Sequence, residues 1–185
     1  MGTLADRKIN PYCTTASGRR VTFLNPKPNQ IAFSDIALSL ANTIRYQGGL
    51  YIHYSNAEHS ILGTKYASTF KVQREFLVHD FAEYIFADVP APVKWVCPEY
   101  CALEETFQRF LNKHFLGYEE LSPEVKEIDS RITCSEMKVI RGASPEDLYA
   151  TPYSNFKPHM WNSFDALNNL VKLFKEYFPS YNHSN

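Results

Sequence analysis

The stretch from Leu77 to Pro90 constrains this chain more than any other: it is apolar enough to be buried, yet it carries His79, Asp80, Glu83 and Asp88. A carboxylate removed from water without a partner is costly, so the fold has to supply a counter-charge, a proton or a metal. The apolar spacing predicts a helix over Val72–Phe86. On it, Glu83 follows Asp80 by three residues and His79 by four, so the three side chains crowd one face. Adjacent His79 and Asp80 are about 100° apart and can lean onto one ion from a single wall. An isolated His-Asp pair reads as a core histidine held by a carboxylate. His59 and Asp129, each beside an apolar stripe, shift the reading to a metal site.

Composition bounds the rest. A length of 185 residues suits a single domain spanning 1–185, with enough chain to bury a core. A net charge of -1 gives no electrostatic case for a nucleic-acid polymer as partner. No apolar run approaches the roughly 20 residues of a membrane span. Met1 to Pro11 carries no apolar segment of the secretory kind, so a cytoplasmic location is expected. Cys13, Cys97, Cys101 and Cys134 lack paired zinc spacing and are expected to be reduced thiols. Aromatic residues make up 15% of the chain, which suits a dense core or a pocket that stacks on planar rings.

Taken in order, Thr14–Phe23 reads as a turn between two short extended pieces, and the prolines at 26 and 28 break the chain. Ser34 as a cap and the recurrence of Ile36, Leu40 and Ile44 predict a helix over Asp35–Tyr46, with Arg45 in its last turn. Ser55-Asn56-Ala57-Glu58 is a capping box that opens a helix over Asn56–Phe70, with His59 near its start and His53 just outside it. Pro90 and Pro92 end the next helix, leaving Asp88 on a loop at its negative pole, where the dipole offers an anion nothing. Further helices follow over Pro98–Phe115, from Ser122 to about Ile140, briefly after Ser144, and over Ser163–Phe178. Asp129 lies beside the stripe formed by Ile128 and Ile132; alone it would read as a rim carboxylate for Arg131 or Lys126. The expected architecture is an all-α bundle with a short N-terminal extended hairpin.

The candidate ligands His59, His79, Asp80 and Asp129 come from three helices, and this mixed set suits zinc, manganese, cobalt, iron or nickel. The order His…His-Asp…Asp resembles the HD-domain metal-dependent phosphohydrolases. The likeness is tightest over Tyr54–Ser60 and from His79 through Lys94. With Arg45 fourteen positions before His59, these blocks look like the 5'-deoxynucleotidase branch and its phage relatives. Within that resemblance, His59, His79, Asp80 and Asp129 hold one divalent transition metal, zinc first. Glu83 and Asp88 handle protons, and Arg45 and Lys94 neutralise phosphate oxygens. Tyr46 stands where the bacterial nucleotidases carry a tryptophan beside the sugar.

The N-terminal Thr-Ala-Ser-Gly-Arg block and Arg45–Gly49 also look like small phage HD proteins, among them dATP triphosphohydrolases of 2-aminoadenine phages. Those release deoxyadenosine and triphosphate, accept the di- and monophosphate, form hexamers, and use further divalent ions such as magnesium or cobalt near the phosphates. The resemblance therefore implies a small deoxynucleotide, dATP foremost, as substrate. It also implies a homo-oligomer, hexamer or dimer, working in the cytoplasm, that of the host if the chain is phage-encoded. Arg19, Arg20 and Lys65 are spare cations for a long phosphate tail. The rival readings are a 5'-deoxynucleotidase acting on dNMPs, a hydrolase of guanosine tetraphosphate or cyclic nucleotides, and a non-catalytic HD binding module.

Overall fold

A computed structural model describes residues 11–181. The secretory-signal expectation for the first ten residues and the tail beyond Tyr181 lie outside the described residues. The chain opens with an antiparallel hairpin, β1 (Tyr12–Thr14) on β2 (Arg20–Thr22), with Cys13 opposite Val21. Gly18 takes φ +81° in the turn between them. Asp35, in the first turn of the helix that follows, is buried, and its carboxylate accepts the Thr15 hydroxyl at 2.7 Å and the Ser17 amide at 2.9 Å, pinning the hairpin to that helix.

The remainder is mostly helical, as expected: α1 (Phe33–Asn42), α2 (Asn56–Thr64), α3 (Phe70–Val78), α4 (Glu83–Phe86), α5 (Ala91–Trp95), α6 (Pro98–Leu116), α7 (Pro123–Ile140) and α8 (Ser163–Tyr177). Several boundaries differ from the sequence reading, each for a structural reason. Helix α1 stops at Asn42 because Thr43 turns extended and Ile44 bridges Ser55, with the Arg45 amide donating to the Tyr54 carbonyl at 3.0 Å. Arg45 is therefore not a helix-end cation; it leads a tight turn in which Tyr46 and Gln47 take φ of 58° and 55°. Helix α2 stops at Thr64, and Thr69 caps α3 by accepting from the Val72 amide. Ser122 makes no side-chain cap on α7, and Asn162 rather than Ser163 caps α8.

Ser55 caps α2 as expected, but Glu58 does not close the box. Its carboxylate leaves the helix and accepts the backbone amides of His159, Met160 and Trp161 at 2.5–3.0 Å. That ties the aromatic loop before α8 to the start of α2. Every residue of α2 is buried. It supplies Ala57 and Ile61 to the larger apolar core, shared with α1, α3, α6 and α8, and Leu62 to a second core against α3 and α7. The most enclosed helix is thus α2 rather than the His-Asp segment. Among the described residues, no helix is long and apolar enough to cross a membrane.

Gly63 allows α2 and α3 to approach closely, since a Cβ there would collide with three atoms of the Phe76 ring. Phe76 is fully buried and its ring lies 4.2 Å from that of His79, so it has nowhere to retreat. Gly63→Ala is therefore expected to destabilise the fold by about 1–3 kcal/mol, as overpacked cores do. Thermal unfolding checks this: the midpoint should fall by several degrees, and His79 should be disturbed along with Phe76.

Candidate metal centre

Beyond Val78 the backbone tightens. The amides of Phe81, Glu83, Tyr84 and Ile85 each reach back three residues, at 2.9–3.2 Å. The single helix expected over Val72–Phe86 is therefore two helices joined by a tight turn that contains His79 and Asp80. In such a turn residues three apart eclipse, which carries Glu83 to the side of Asp80. Both line a cavity of about 570 Å³, together with His79, Lys94, Glu104 and Asp129.

Each histidine is fixed by one ring nitrogen. His79 Nδ1 lies 2.6 Å from the Phe76 carbonyl, which can only accept, so Nδ1 carries hydrogen. His59 Nδ1 lies 2.6 Å from Glu136 Oε1. The two Nε2 atoms are buried and have no hydrogen-bond partner. They face the same carboxylates. Asp80 Oδ2 is 3.1 Å from His79 Nε2 and 3.7 Å from His59 Nε2, and Asp129 Oδ1 is 3.8 Å and 3.3 Å from them. Donors bonded at about 2.1 Å to one tetrahedral ion stand roughly 3.4 Å apart, so these separations suit a shared cation. The donor atoms of His59, His79 and Asp80 lie within 4.8 Å of one another, and this group could hold a metal ion. Asp129, whose side chain is 41% exposed, closes the outer side.

Charge agrees with geometry. With no cation between the rings, burial alone would lower His79, yet Asp80 and Asp129 outweigh it and raise the imidazole to about 10. Burial pushes Asp129 upward, but the two histidines hold it well below the usual carboxylate range. Glu83 is raised well above that range by its burial first, then by Asp80 and Asp88, with Arg45 and Lys94 offsetting only part. A positive imidazole at His79 offsets the carboxylates with a proton; a divalent ion does so with its own charge.

The other expected residues lie nearby in varied roles. Lys94 lines the cavity but pairs with Glu104 at 2.7 Å. Asp88 is half-buried on its loop, just after Ala87 at φ 63°. Arg45 is 7% exposed, and its Nε donates to Glu136 Oε2 at 3.0 Å. The Tyr46 hydroxyl donates to the same oxygen at 3.0 Å. Asp129 is not a rim partner for Arg131, which donates to the Thr151 carbonyl at 3.1 Å. His53 stands apart, 3.0 Å from the Ser163 hydroxyl. Arg19 and Arg20 stay on the hairpin, Lys65 lies beside His159, and the four cysteines are free thiols.

Sequence reasoning missed two residues. Glu136 is fully buried and gathers Arg45, Tyr46, Tyr54 and His59. The signal was present, since Glu136 continues the four-residue step of Ile128 and Ile132. Asn56, also fully buried, donates its amide to Glu83. Nothing in the sequence links these two residues.

Fold and cluster together define a mostly helical protein with a histidine–aspartate group suited to a metal ion. No known protein-family profile matches the chain. It is similar to the uncharacterized protein YfdR of Escherichia coli, 29% identical over 127 residues, which are 69% of this chain and 71% of that protein. It is also similar to an uncharacterized protein of Rhodobacter capsulatus, 38% identical over 87 residues, 42% of this chain and 44% of that one.

Metal uptake should release protons. The raised His79 pKa makes its charge a stabilising feature of the metal-free fold, fully present below about pH 6.5 and lost as pH rises through about 10. A cation replaces that proton, so affinity should climb with pH across the neutral range, up to about tenfold per unit for each proton displaced. Titration calorimetry in buffers of different ionisation enthalpy should show about one or more protons released per ion. His79→Ala should abolish uptake.

Proposed function

We propose that this chain is an HD-domain metal-dependent phosphohydrolase of deoxynucleotides, acting foremost on dATP to release deoxyadenosine and triphosphate, and also on dADP and dAMP. One observation carries the reading: two buried imidazole nitrogens, unpartnered, face two carboxylates at distances a shared cation would set. His59, His79, Asp80 and Asp129 would hold the ion, zinc first among the candidates. When bound, such an ion supplies the Lewis acidity that makes water a nucleophile near neutral pH.

The chain's own residues do the rest. Glu83, oriented by the Asn56 amide and raised in pKa, is suited to holding a proton beside the cavity, and Asp88 is its partner in proton handling. Lys94 presents a cation to the phosphate. Arg45 contributes its charge from behind Glu136. Val93, Trp95 and Val96 are exposed on and just after α5, next to Lys94, which supports assembly into a homo-oligomer, hexamer or dimer; a cytoplasmic location goes with the same proposal.

A second reading has an observation in its favour. Lys94, Arg109 and Lys126 are the cations lining the cavity, among a larger number of carboxylates. A triphosphate there would need further divalent ions, magnesium or cobalt, whereas a monophosphate needs fewer. That favours a 5'-deoxynucleotidase acting on dNMPs. Assays of dATP and dAMP side by side separate the two: triphosphate as product supports the first, and orthophosphate from dAMP with dATP inert supports the second.

Asp80→Ala should lose both metal and turnover. Glu83→Gln should keep the metal and lose about 10²–10⁴-fold in kcat, the usual worth of a positioned acid or base. Turnover by Asp80→Ala at the parent rate would overturn the proposal.

A further inference from the structure

We propose that Glu136 is a positioning residue that sets which nitrogen of His59 faces the metal, and that Arg45 and Tyr46 act first on Glu136 rather than on the substrate. The inference rests on the metal-centre reading, and it differs from the phosphate and sugar roles that the resemblance gives to Arg45 and Tyr46.

The case is one of complete hydrogen-bond accounting. A carboxylate offers about four lone-pair sites, two on each oxygen. Glu136 Oε1 meets the Tyr54 hydroxyl at 2.8 Å and His59 Nδ1 at 2.6 Å; Oε2 meets Arg45 Nε at 3.0 Å and the Tyr46 hydroxyl at 3.0 Å. Arginine has only donors, and each tyrosine donates to this acceptor, so every lone pair is taken. His59 Nδ1 must therefore carry hydrogen, so the neutral ring that binds a metal has its lone pair on Nε2. That is the atom buried without a partner opposite Asp80 and Asp129.

Three features show a built arrangement. Glu136 and His59 are both fully buried, so water cannot substitute for either partner. Tyr54 is buried on the approach to α2, so its hydroxyl reaches Glu136 from the same chain segment that delivers His59. Glu136 and Asp129 share α7, one as support and one as outer ligand, so the helix that supplies the ligand also orients its neighbour. A carboxylate behind a metal-bound histidine fixes the ring and makes it a better donor, and losing such a partner typically costs about 10–100-fold in metal affinity.

The test reads metal rather than turnover. Cobalt titrated into the parent and into Glu136→Gln, followed by visible absorption, should show about 10–100-fold weaker binding and a shifted ligand-field band in the variant. Matching affinity and spectrum would overturn the proposal. A second measurement needs no variant. Long-range ¹⁵N correlation spectra of the zinc-loaded parent should show His59 protonated at Nδ1 and coordinated through Nε2; coordination through Nδ1 would overturn it. Both readouts are independent of nucleotide cleavage. A parent that binds cobalt yet hydrolyses no nucleotide fails the hydrolase reading alone, and a variant identical to an active parent fails this one alone.

Discussion

Two imidazole nitrogens, sealed from water and turned toward two carboxylates, are the interaction on which this fold is arranged. Neither nitrogen makes a well-aligned hydrogen bond in the protein, and burying a polar atom without one is costly. A cation removes that cost and the repulsion between Asp80 and Asp129 at once. The three elements that meet there are of different kinds: a helix buried on all sides, a tight turn, and a long amphipathic helix. Their convergence depends on ordinary packing elsewhere. Gly63 lets α2 close on α3, Phe76 fills the gap, and the carbonyl of Phe76 then sets the ring of His79.

The fully buried carboxylates around this group are met by donors, and strain lies at its margins. Glu58 and Glu136 are wholly buried carboxylates, and each is met by several donors, so neither is left as an uncompensated charge. Strain lies just outside. Tyr46 and Gln47 follow Arg45 with positive φ, and Ala87 precedes Asp88 at φ 63° and ψ 165°, a region that favours glycine. Such residues cost about 1–3 kcal/mol each and persist where surrounding structure over-determines them, often beside functional groups. Here they flank two residues that the sequence had already singled out.

Legibility in the sequence followed the range of the interaction. The hairpin, the capping serine of α2 and the mostly helical content all come from local chemistry, and all are present. Helix ends went astray where tertiary contacts intervened: Ile44 left α1 to bridge Ser55, and the segment after Val78 tightened to bring Asp80 and Glu83 to one side. Glu58 looked like half of a capping box because its spacing allowed it. Its true partners are backbone amides about a hundred positions away, which no local pattern encodes. The same distance hid Glu136, which meets residues of the 45–59 segment across the bundle.

The metal centre unites these features, and the structure of the protein with its metal tests it most directly. A crystal grown with zinc and measured at the zinc absorption edge should show one strong anomalous peak bonded to Nε2 of His59, Nε2 of His79 and a carboxylate oxygen of Asp80, with Asp129 alongside. A protein that crystallises with zinc elsewhere, or with the two nitrogens hydrogen-bonded to water and no ion between them, would contradict the account.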